Sequence, residues 1–471
     1  MTVRTLSIVV TLGALFRVGN AVAQAPATSP VSVTQTPVAE YAARRTRIME
    51  TLSDGILLLH ARSAEKDMEQ WGFVQDPSFL YFTGLSDLPG AILALDGPGS
   101  ESRLFVPPPP MSFGFPVDGL VPAPGGESAD KIGVDAVESW DQFAGWLDTR
   151  LSGGVKTLYV DEPRRPEATG VPSGLRAVAG PLAQWRASLE ARFPDARFAS
   201  AKASIQAMRW VKSHAEVGVL RRNAEATAAA LVAVARTIRP GMTQREAEAR
   251  IVAACIESGA QGPSFWPWIM AGPNAHVDRL VHAFFHYDQL DRVMQPGELV
   301  RVDIGCASGL YGSDVGRTLP VSGTFSAGQR EAWNLLIRAY RAGMDVMAAG
   351  VPLDTVRAAS TRAVADARGK LRTSTGRQAA DAMLEQGNGV WHIHGVGIES
   401  GEDAGSVLES GSVVAFEPMI EVGSDAFYLE DMILITSTGF EVLSKDLPYT
   451  AQDIEAVMRP RNGLKPPSAR R

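Results

Sequence analysis

Two aspartates at the ends of one apolar, glycine-punctuated segment constrain the fold of this chain more than any other feature. Residues 300–305 alternate apolar and polar side chains up to Asp303 and predict a β-strand. Three glycines within residues 305–312 predict a tight return before Asp314. A carboxylate at the end of an apolar strand is costly unless a positive group neutralises it, so two facing acids favour a bound cation.

For either aspartate alone, an ordinary structural role is an equal alternative. Asp303 could cap a turn, and Asp314 could form an ion pair with Arg317 three residues later. Both interpretations account for the same short stretch of sequence. The other acidic and imidazole side chains of the C-terminal half therefore decide between them.

Three further ligand candidates follow in that half. Glu417 ends an apolar run, Glu430 precedes another, and His394 is followed by glycine, which leaves room for a cation. Acids inside strand-like apolar segments are rare without compensation. Four carboxylates and one imidazole suit Mn²⁺, with Co²⁺, Fe²⁺ or Zn²⁺ as alternatives. Because one cation does not need four carboxylates, the set predicts a two-metal hydrolase, with the ions roughly 3.5 Å apart.

These five residues resemble, in order, spacing and context, the ligands of the pita-bread metallopeptidases, the family of aminopeptidase P, prolidase and methionine aminopeptidase. The shared motifs are the eleven-residue step between the aspartates, the His-Gly-x-Gly run, the Glu-Pro after a strand and the Glu-Asp before one. Residues 79–84 and 209–222 are similar to the N-terminal domain and linker of the aminopeptidase P and prolidase branch. The resemblance extends over about residues 40–455.

The resemblance implies a role for each ligand. Asp314 and Glu430 would bridge both metals, Asp303 would chelate one of them, and His394 and Glu417 would complete the other. A water molecule activated by the two cations would attack the scissile carbonyl. Glu417 would transfer the proton of that water as general base and then general acid.

The residues expected to contact substrate match the family less well. His286 lies seventeen residues before Asp303, as does a family histidine that stabilises the tetrahedral intermediate. The histidines that usually lie four residues before and seven after the ligand histidine are replaced by Val390 and Gly401. Tyr428 stands where the branch tends to have arginine. The metal ligands are therefore complete, whereas the substrate contacts are altered.

Other residues could take over these substrate contacts. His392 and Glu402 are the candidates, together with Tyr428 itself. His282 and His392 match no histidine position of the family, so the alternative for both is a purely structural role. Losing a positioning hydrogen bond typically costs roughly 10²–10³ in rate without abolishing the chemistry.

The pattern of helices and strands predicts an α/β (α+β) protein. A creatinase/prolidase-like N-terminal α/β domain would precede a C-terminal pita-bread catalytic domain. Helices are predicted over residues 41–52, 215–237, 326–349 and 353–365, and a capping box from Thr243 to Glu246 would begin another. Strands are predicted at residues 55–60, 90–96 and after 411. Helices followed by strands would then occur twice in the catalytic half, as a two-fold repeat.

The predicted organisation has five parts, and its N-terminus favours export. A basic residue, a short apolar run and a small-x-small pattern are typical of a secretory signal peptide, although a buried helix is the alternative. The protein would then be periplasmic or secreted. The parts are a signal peptide (1–23), a disordered lead-in (24–38), an N-terminal α/β support domain (39–203), a pita-bread catalytic domain (204–455) and a disordered tail (456–471).

Charge, hydropathy and cysteine content limit the partners and the class of protein that this chain can represent. The net charge of −7 and pI near 5.6 give no reason to expect nucleic acid or an anionic membrane as a partner. No second apolar run reaches the length of a membrane span. Cys255 and Cys306 are the two cysteines, so the chain is not a disulfide scaffold, and their pairing stays open. The resemblance makes a homodimer the expected assembly.

The leading functional hypothesis is an Xaa-Pro aminopeptidase that cleaves the bond before a proline in second position of a peptide. A prolidase restricted to dipeptides is one alternative. Another is hydrolysis of a non-peptide C–N bond, as in creatinase-like and ectoine-hydrolase-like relatives, which the altered histidines favour modestly. A non-catalytic binding module is disfavoured, because such a protein has no need for four buried carboxylates.

Overall fold

The computed structural model describes residues 36–63, 74–109, 111–112, 115–116, 121–162, 180–279, 282, 286 and 291–459. The predicted signal peptide, the lead-in before residue 36 and the tail beyond residue 459 lie outside the described residues. Part of the glycine- and proline-rich stretch between residues 113 and 126 also lies outside them.

The main α-helices of the described residues extend over both halves of the chain. They are α1 (Val38–Glu50), α2 (Pro77–Thr83), α3 (Gly126–Ile132), α4 (Trp140–Ser152), α5 (Pro181–Arg192), α6 (Lys202–Trp210), α7 (His214–Ala235), α8 (Gln244–Glu257), α9 (Ala327–Met344), α10 (Leu353–Arg368), α11 (Ser374–Gln386) and α12 (Ala451–Met458). Among these helices, none is both long and apolar enough to cross a bilayer.

The strands form two large sheets and two short ribbons. They are β1 (Gly55–His60), β2 (Ile92–Asp96), β3 (Glu101–Val106), β4 (Met111–Ser112), β5 (Phe115–Pro116), β6 (Ala136–Ser139), β7 (Thr157–Val160), β8 (Arg197–Ser200), β9 (Gly262–Pro263), β10 (Trp268–Ala271), β11 (Leu299–Ile304), β12 (Cys306–Ala307), β13 (Val315–Pro320), β14 (Trp391–Gly395), β15 (Val413–Val422), β16 (Asp425–Ile435) and β17 (Phe440–Val442). The six-stranded sheet belongs to the N-terminal half and the seven-stranded sheet to the C-terminal half.

The N-terminal sheet has the strand order β6-β3-β2-β1-β7-β8 and is mixed parallel and antiparallel. Its central strand β1 is apolar on both faces, which is typical of a strand between two layers of helices. Leu57 and Leu59 pack with residues of α1, α2 and α6, whereas Ile56 and Leu58 pack with residues of α4 and α5. The N-terminal half is therefore an α/β layer structure, as predicted.

The C-terminal half contains helices followed by strands twice, in agreement with the predicted two-fold repeat. Helices α7 and α8 precede β10, β11 and β13, and helices α9 to α11 precede β14, β15 and β16. The strands form an antiparallel sheet in the order β10-β11-β13-β16-β15-β14, with β17 beside β16. The predicted capping box from Thr243 to Glu246 begins α8, and a second one, from Ser213 to Glu216, begins α7.

Two helices were not predicted, and a third extends beyond its expected limit. Helix α11 was not predicted, because its sequence has few apolar side chains and buries mainly Ala379, Ala380 and Met383. Residues 77–83 form helix α2, which Asp76 caps at its N-terminus and Gly84 ends in the left-handed conformation. Helix α12 runs to Met458, three residues past the predicted end of the catalytic domain.

Buried charges join the N-terminal helix α1 to the catalytic half. The Arg44 guanidinium donates to the carbonyl of Tyr81 and lies 3.3 Å from the Glu216 carboxylate in α7. Tyr311, which belongs to the turn after Asp303, donates its hydroxyl to Glu216 at 3.0 Å. This network holds the turn between the two predicted aspartate ligands against the helices that precede it.

The two cysteines form a disulfide bond, which answers the question that the sequence left open. Cys255 in α8 and Cys306 in β12 are both fully buried. Cys306 is therefore neither a free thiol nor a metal ligand. The bond ties the segment directly after Asp303 to the helix packed behind it.

Candidate metal centre

The ligand candidates lie on neighbouring strands of the antiparallel sheet. Asp303 in β11 is opposite Gly316 in β13, and Gly316 is in turn opposite Glu430 in β16. Directly opposite residues of antiparallel strands point to the same face of the sheet. Asp314 immediately precedes β13. The predicted hairpin is thus present, and β16 adds its glutamate from the next strand.

His394 and Glu417 come from the strands on the far side of β16. His394 in β14 is opposite Ala415 in β15, and His392 is opposite Glu417. The Nδ1 atom of His394 lies 2.9 Å from the carbonyl oxygen of Gly395, which can only accept a hydrogen bond. Nδ1 therefore donates to this carbonyl, which turns Nε2 towards the acidic side chains, where it would be the atom that binds a cation.

The Nε2 atom of His394 lies at the centre of the acidic side chains. It is 3.1 Å from Glu417 Oε1, 3.8 Å from Asp314 Oδ2 and 3.8 Å from Glu430 Oε1. The possible ligand atoms form two sets. Within each set the atoms lie within 4.8 Å of one another, and both sets contain His394. One set adds Asp314 and Glu430, and the other adds His392 and Glu417.

The oxygen and nitrogen atoms of this cluster are better suited to binding a cation than to forming hydrogen bonds with one another. Within the described part of the chain, no donor reaches Asp314 Oδ1 or Glu430 Oε1, although both oxygens are buried. Buried acceptors without a partner are rare because they lose their hydrogen bonds to water. A divalent cation with oxygen and nitrogen ligands would satisfy both atoms. The observed residues therefore fit the metal site that the sequence predicted.

Without cations, the acids differ in how firmly they hold protons. Burial and then the charges of neighbouring carboxylates raise the pKa values of Asp314 and Glu430 far above their ordinary range. Burial would also raise the pKa of Glu417, but hydrogen bonds to His392 and His394 outweigh it and lower the value. A raised pKa favours the protonated form of these two groups, so metal binding to them is linked to the release of protons.

Asp303 lies beside this cluster and has a partner of its own. The Nη2 atom of Arg301 donates to Asp303 Oδ2 at 2.6 Å. Among the described residues, Asp303 is in neither set of closely spaced ligand atoms. Arg301 was not among the predicted site residues. An arginine two residues before an acid on the same apolar strand was nevertheless a usable signal, because the two side chains share one face.

Tyr428 contacts two of the acids through its hydroxyl group. The oxygen lies 2.8 Å from Glu417 Oε2 and 2.7 Å from Glu430 Oε2. A cavity of about 530 Å³ lies against Tyr428, Arg301, His392 and Glu417. Tyr428 therefore lies at the predicted site, and its observed contacts are with metal-ligand candidates.

The structure places the other substrate-binding candidates differently. His392 is largely exposed and contacts the Glu417 carboxylate through Nδ1. His286 is exposed, and its ring stacks on that of His282 with centroids 4.2 Å apart. Glu402 is buried between Arg209 and Lys212, at 2.6 and 3.0 Å. Substrate binding by His286, His392 and Glu402 stays a prediction.

The simple ion-pair alternative for Asp314 is wrong. Arg317 is fully buried and pairs with Asp431 at 2.8 Å. It also donates to the backbone carbonyls of Gly316 and Glu430. Arg317 therefore fixes the backbone of β13 and β16 next to the site and leaves Asp314 available to a cation.

Two family models match this chain. The model described as "Metallopeptidase family M24" matches residues 218–437, and "Aminopeptidase P, N-terminal domain" matches residues 41–159. The first range contains all five ligand candidates, and the second contains most of the N-terminal sheet. The two matches follow the division of the structure into two sheets.

Curated relatives are similar over nearly their whole length. The Xaa-Pro aminopeptidase of Haemophilus influenzae is 27% identical over 451 residues, with 90% of this chain and 97% of the relative covered. The Xaa-Pro aminopeptidase of Escherichia coli is 26% identical over 449 residues, with 89% and 97% covered. Among solved structures, aminopeptidase P from E. coli with the inhibitor Pro-Leu has a TM-score of 0.71 at 24% identity, with 90% of this chain and 99% of that chain covered.

Proposed function

Because this chain belongs to metallopeptidase family M24, in the branch with an aminopeptidase P N-terminal domain, we propose that it is an Xaa-Pro aminopeptidase. It would remove the N-terminal residue from peptides that have proline in second position. The two similar curated relatives carry this name, and the chain covers 97% of each. The reaction is hydrolysis by a metallo-exopeptidase.

The main support for this proposal is that three acidic side chains converge on one imidazole nitrogen. Asp314, Glu417 and Glu430 all place a carboxylate oxygen within 3.8 Å of His394 Nε2. Two of the buried oxygens have no donor among the described residues. A cluster of this kind is unfavourable in a protein interior unless cations compensate it.

Two divalent cations would be held by Asp303, Asp314, His394, Glu417 and Glu430. When bound, such a pair polarises a carbonyl group and lowers the pKa of water. Glu417 borders the cavity and is partly exposed, so its carboxylate can take a proton from a water molecule and return it to the leaving amine. His392 contacts the same carboxylate and can orient it.

Mn²⁺ is the metal that we propose, since the ligands are four carboxylates and a single imidazole. Hard oxygen donors favour Mn²⁺ or Mg²⁺, whereas the imidazole shifts the preference towards transition metals. Co²⁺, Fe²⁺ and Zn²⁺ are the competitors. Metal analysis of protein purified without added salts would identify the native ion.

The test compares peptide hydrolysis by metal-stripped protein before and after reloading with Mn²⁺. Xaa-Pro-Yaa tripeptides and Xaa-Pro dipeptides are the substrates, and Glu417→Ala is the variant. We expect tripeptide cleavage that depends on Mn²⁺ and falls by about 10²–10⁴-fold in the variant, as removal of a general acid–base does. Glu441→Ala is the matched control, because Glu441 lies in the same sheet but pairs with Arg221 at a partly exposed site.

Each other outcome points to a different enzyme. Cleavage of dipeptides alone would make the protein a prolidase. Stoichiometric metal binding without any peptide cleavage would refute the exopeptidase proposal and favour a non-peptide C–N substrate.

We also propose that the protein is exported and forms a homodimer. The Cys255–Cys306 disulfide supports export, because such bonds persist mainly in oxidising compartments. N-terminal sequencing of the secreted or periplasmic protein should begin near Gln24. Light scattering of the purified enzyme should give twice the chain mass, and a monomer would contradict the dimer.

A further inference from the structure

Two residues outside the predicted ligand set, Arg301 and Tyr428, contact three of the four ligand acids. Arg301 donates to Asp303, and the Tyr428 hydroxyl lies between Glu417 and Glu430. These two residues also contact each other. The Arg301 guanidinium carbon lies 3.9 Å from the centroid of the Tyr428 ring, within the range of a cation–π interaction.

The strand register explains why the two side chains meet. Arg301 in β11 is opposite Thr318 in β13, and Thr318 forms hydrogen bonds with the backbone of Tyr428 in β16. Arg301 and Tyr428 are therefore on the same row of the sheet, each two residues before an acid on its own strand. Side chains two residues apart on a strand share a face, so each residue lies beside the acid that follows it.

The central strand leaves room for this contact at Gly316. A Cβ atom at this position would lie 2.0 Å from a carbon of the Tyr428 ring. The ring therefore lies directly against the backbone of β13, between the acids of β11 and those of β16. Any side chain larger than hydrogen at position 316 would displace it.

Arg301 is too deeply buried to be an ordinary surface arginine. It is 6% exposed, and its Nε atom has no hydrogen-bond partner among the described residues. Its other contacts are with Asp303 and, at 2.8 Å, with the sulfur of Met419. Burying a guanidinium is costly unless its charge is used, and here the charge faces the metal cluster.

We infer that Arg301 and Tyr428 form a stacked positioning pair that fixes the metal-ligand carboxylates of three strands as one unit. Arg301 orients Asp303, Tyr428 orients Glu417 and Glu430, and the stacking contact joins the two. Arg301 thus supplies from β11 a cationic group near position 428, where the resemblance places an arginine. The inference rests on the proposed metal site, because it concerns the ligands of that site.

The first experiment measures Mn²⁺ affinity by calorimetry for the intact protein and for Tyr428→Phe and Arg301→Leu. Replacing a residue that orients a metal ligand without binding the metal itself typically lowers metal affinity or activity by about 10- to 100-fold. We expect both variants to bind Mn²⁺ about 10- to 100-fold more weakly. Arg301→Lys should recover less than half of the loss, because an ammonium cannot stack as a planar guanidinium does.

Matched controls separate positioning from general stability. Tyr159→Phe removes a hydroxyl that donates to the Asp54 carboxylate at 2.9 Å, in the N-terminal sheet. Arg103→Leu removes a guanidinium that pairs with Glu138 and lies 5.8 Å from the Trp146 ring centroid. These controls lose comparable interactions far from the cluster, so their Mn²⁺ affinity should equal that of the wild type even if their melting temperatures fall.

The second experiment moves the charge to the other strand. In Arg301→Leu/Tyr428→Arg, an arginine at 428 can occupy the space beside Asp303 that residue 301 vacates. We expect the double variant to bind Mn²⁺ more tightly than Arg301→Leu alone. Equal or weaker binding in the double variant would overturn the shared role of the two positions.

Failure of the inference can be distinguished from failure of the proposed function. If the wild type binds no Mn²⁺ and cleaves no peptide, the proposed function fails. If the wild type binds Mn²⁺ and Tyr428→Phe and Arg301→Leu bind it with unchanged affinity, the positioning pair is refuted while the function stands. The positioning pair is also refuted if the metal-free variants melt at a lower temperature while their Mn²⁺ affinity is unchanged.

Discussion

The Cys255–Cys306 disulfide should contribute a large share of the stability of the catalytic half. It closes a loop with a sequence separation of 51 residues, between α8 and the turn after β11. In the chain-entropy description, a loop of this length stabilises the folded state by about 4 kcal/mol relative to the reduced chain. Because both cysteines are fully buried, their substitution also removes packing contacts.

The perturbation is Cys255→Ala/Cys306→Ala, studied by urea unfolding. We expect the free energy of unfolding to fall by at least about 4 kcal/mol, because the lost packing adds to the effect of the missing cross-link. The m-value should rise, because the unfolded chain without the cross-link exposes more surface. Wild-type protein unfolded with a reductant should behave like the variant, which provides the control.

The metal site should survive this change better than the fold does. The backbone N–H of Cys306 donates to the hydroxyls of Thr227 and Ser313, each at 2.9 Å, and neither bond needs the disulfide. Ser313 directly precedes Asp314. The folded variant should therefore keep its Mn²⁺ affinity.

Two results would contradict this role of the disulfide. One is the detection of two free thiols in wild-type protein unfolded without reductant. The other is a variant whose free energy of unfolding falls by less than about 1 kcal/mol, because chain entropy for such a loop predicts several times more.

Three further predictions concern charge, packing and metal. Burial would raise the pKa of Glu402, but its two basic partners lower it from 4.5 to about 2. Glu402→Gln should therefore lose roughly 3 kcal/mol of stability above pH 4.5, and the difference should vanish as the pH falls towards 2 in unfolding titrations. Gly316→Ala should displace the Tyr428 ring, lower stability by about 1–3 kcal/mol and weaken Mn²⁺ binding in calorimetry. Chelation of the metal should lower the melting temperature of the wild type but not of Asp314→Asn, since ligand at 100-fold its Kd stabilises by about 2.7 kcal/mol.

Local patterns were sufficient for much of the fold. The strand before Asp303, the capping box at Thr243 and the helices of the catalytic half follow from periodicity and end signals that act over a few residues. Helix α11 was missed because its buried face, at positions 376, 379, 380 and 383, consists mainly of glycine and alanine, which give a weak apolar signal. The pairing of Cys255 with Cys306 could not be predicted, because 51 residues of sequence separation hide their proximity.

The five metal-ligand candidates could be read from the sequence, because their order, spacing and apolar context are properties of single segments. Their surroundings depend on how those segments pack together. Arg301 meets Tyr428 across three strands, and Glu402 is enclosed by two cations from a distant segment. Such contacts depend on strand register and on the packing of one half of the chain against the other, which no local pattern records.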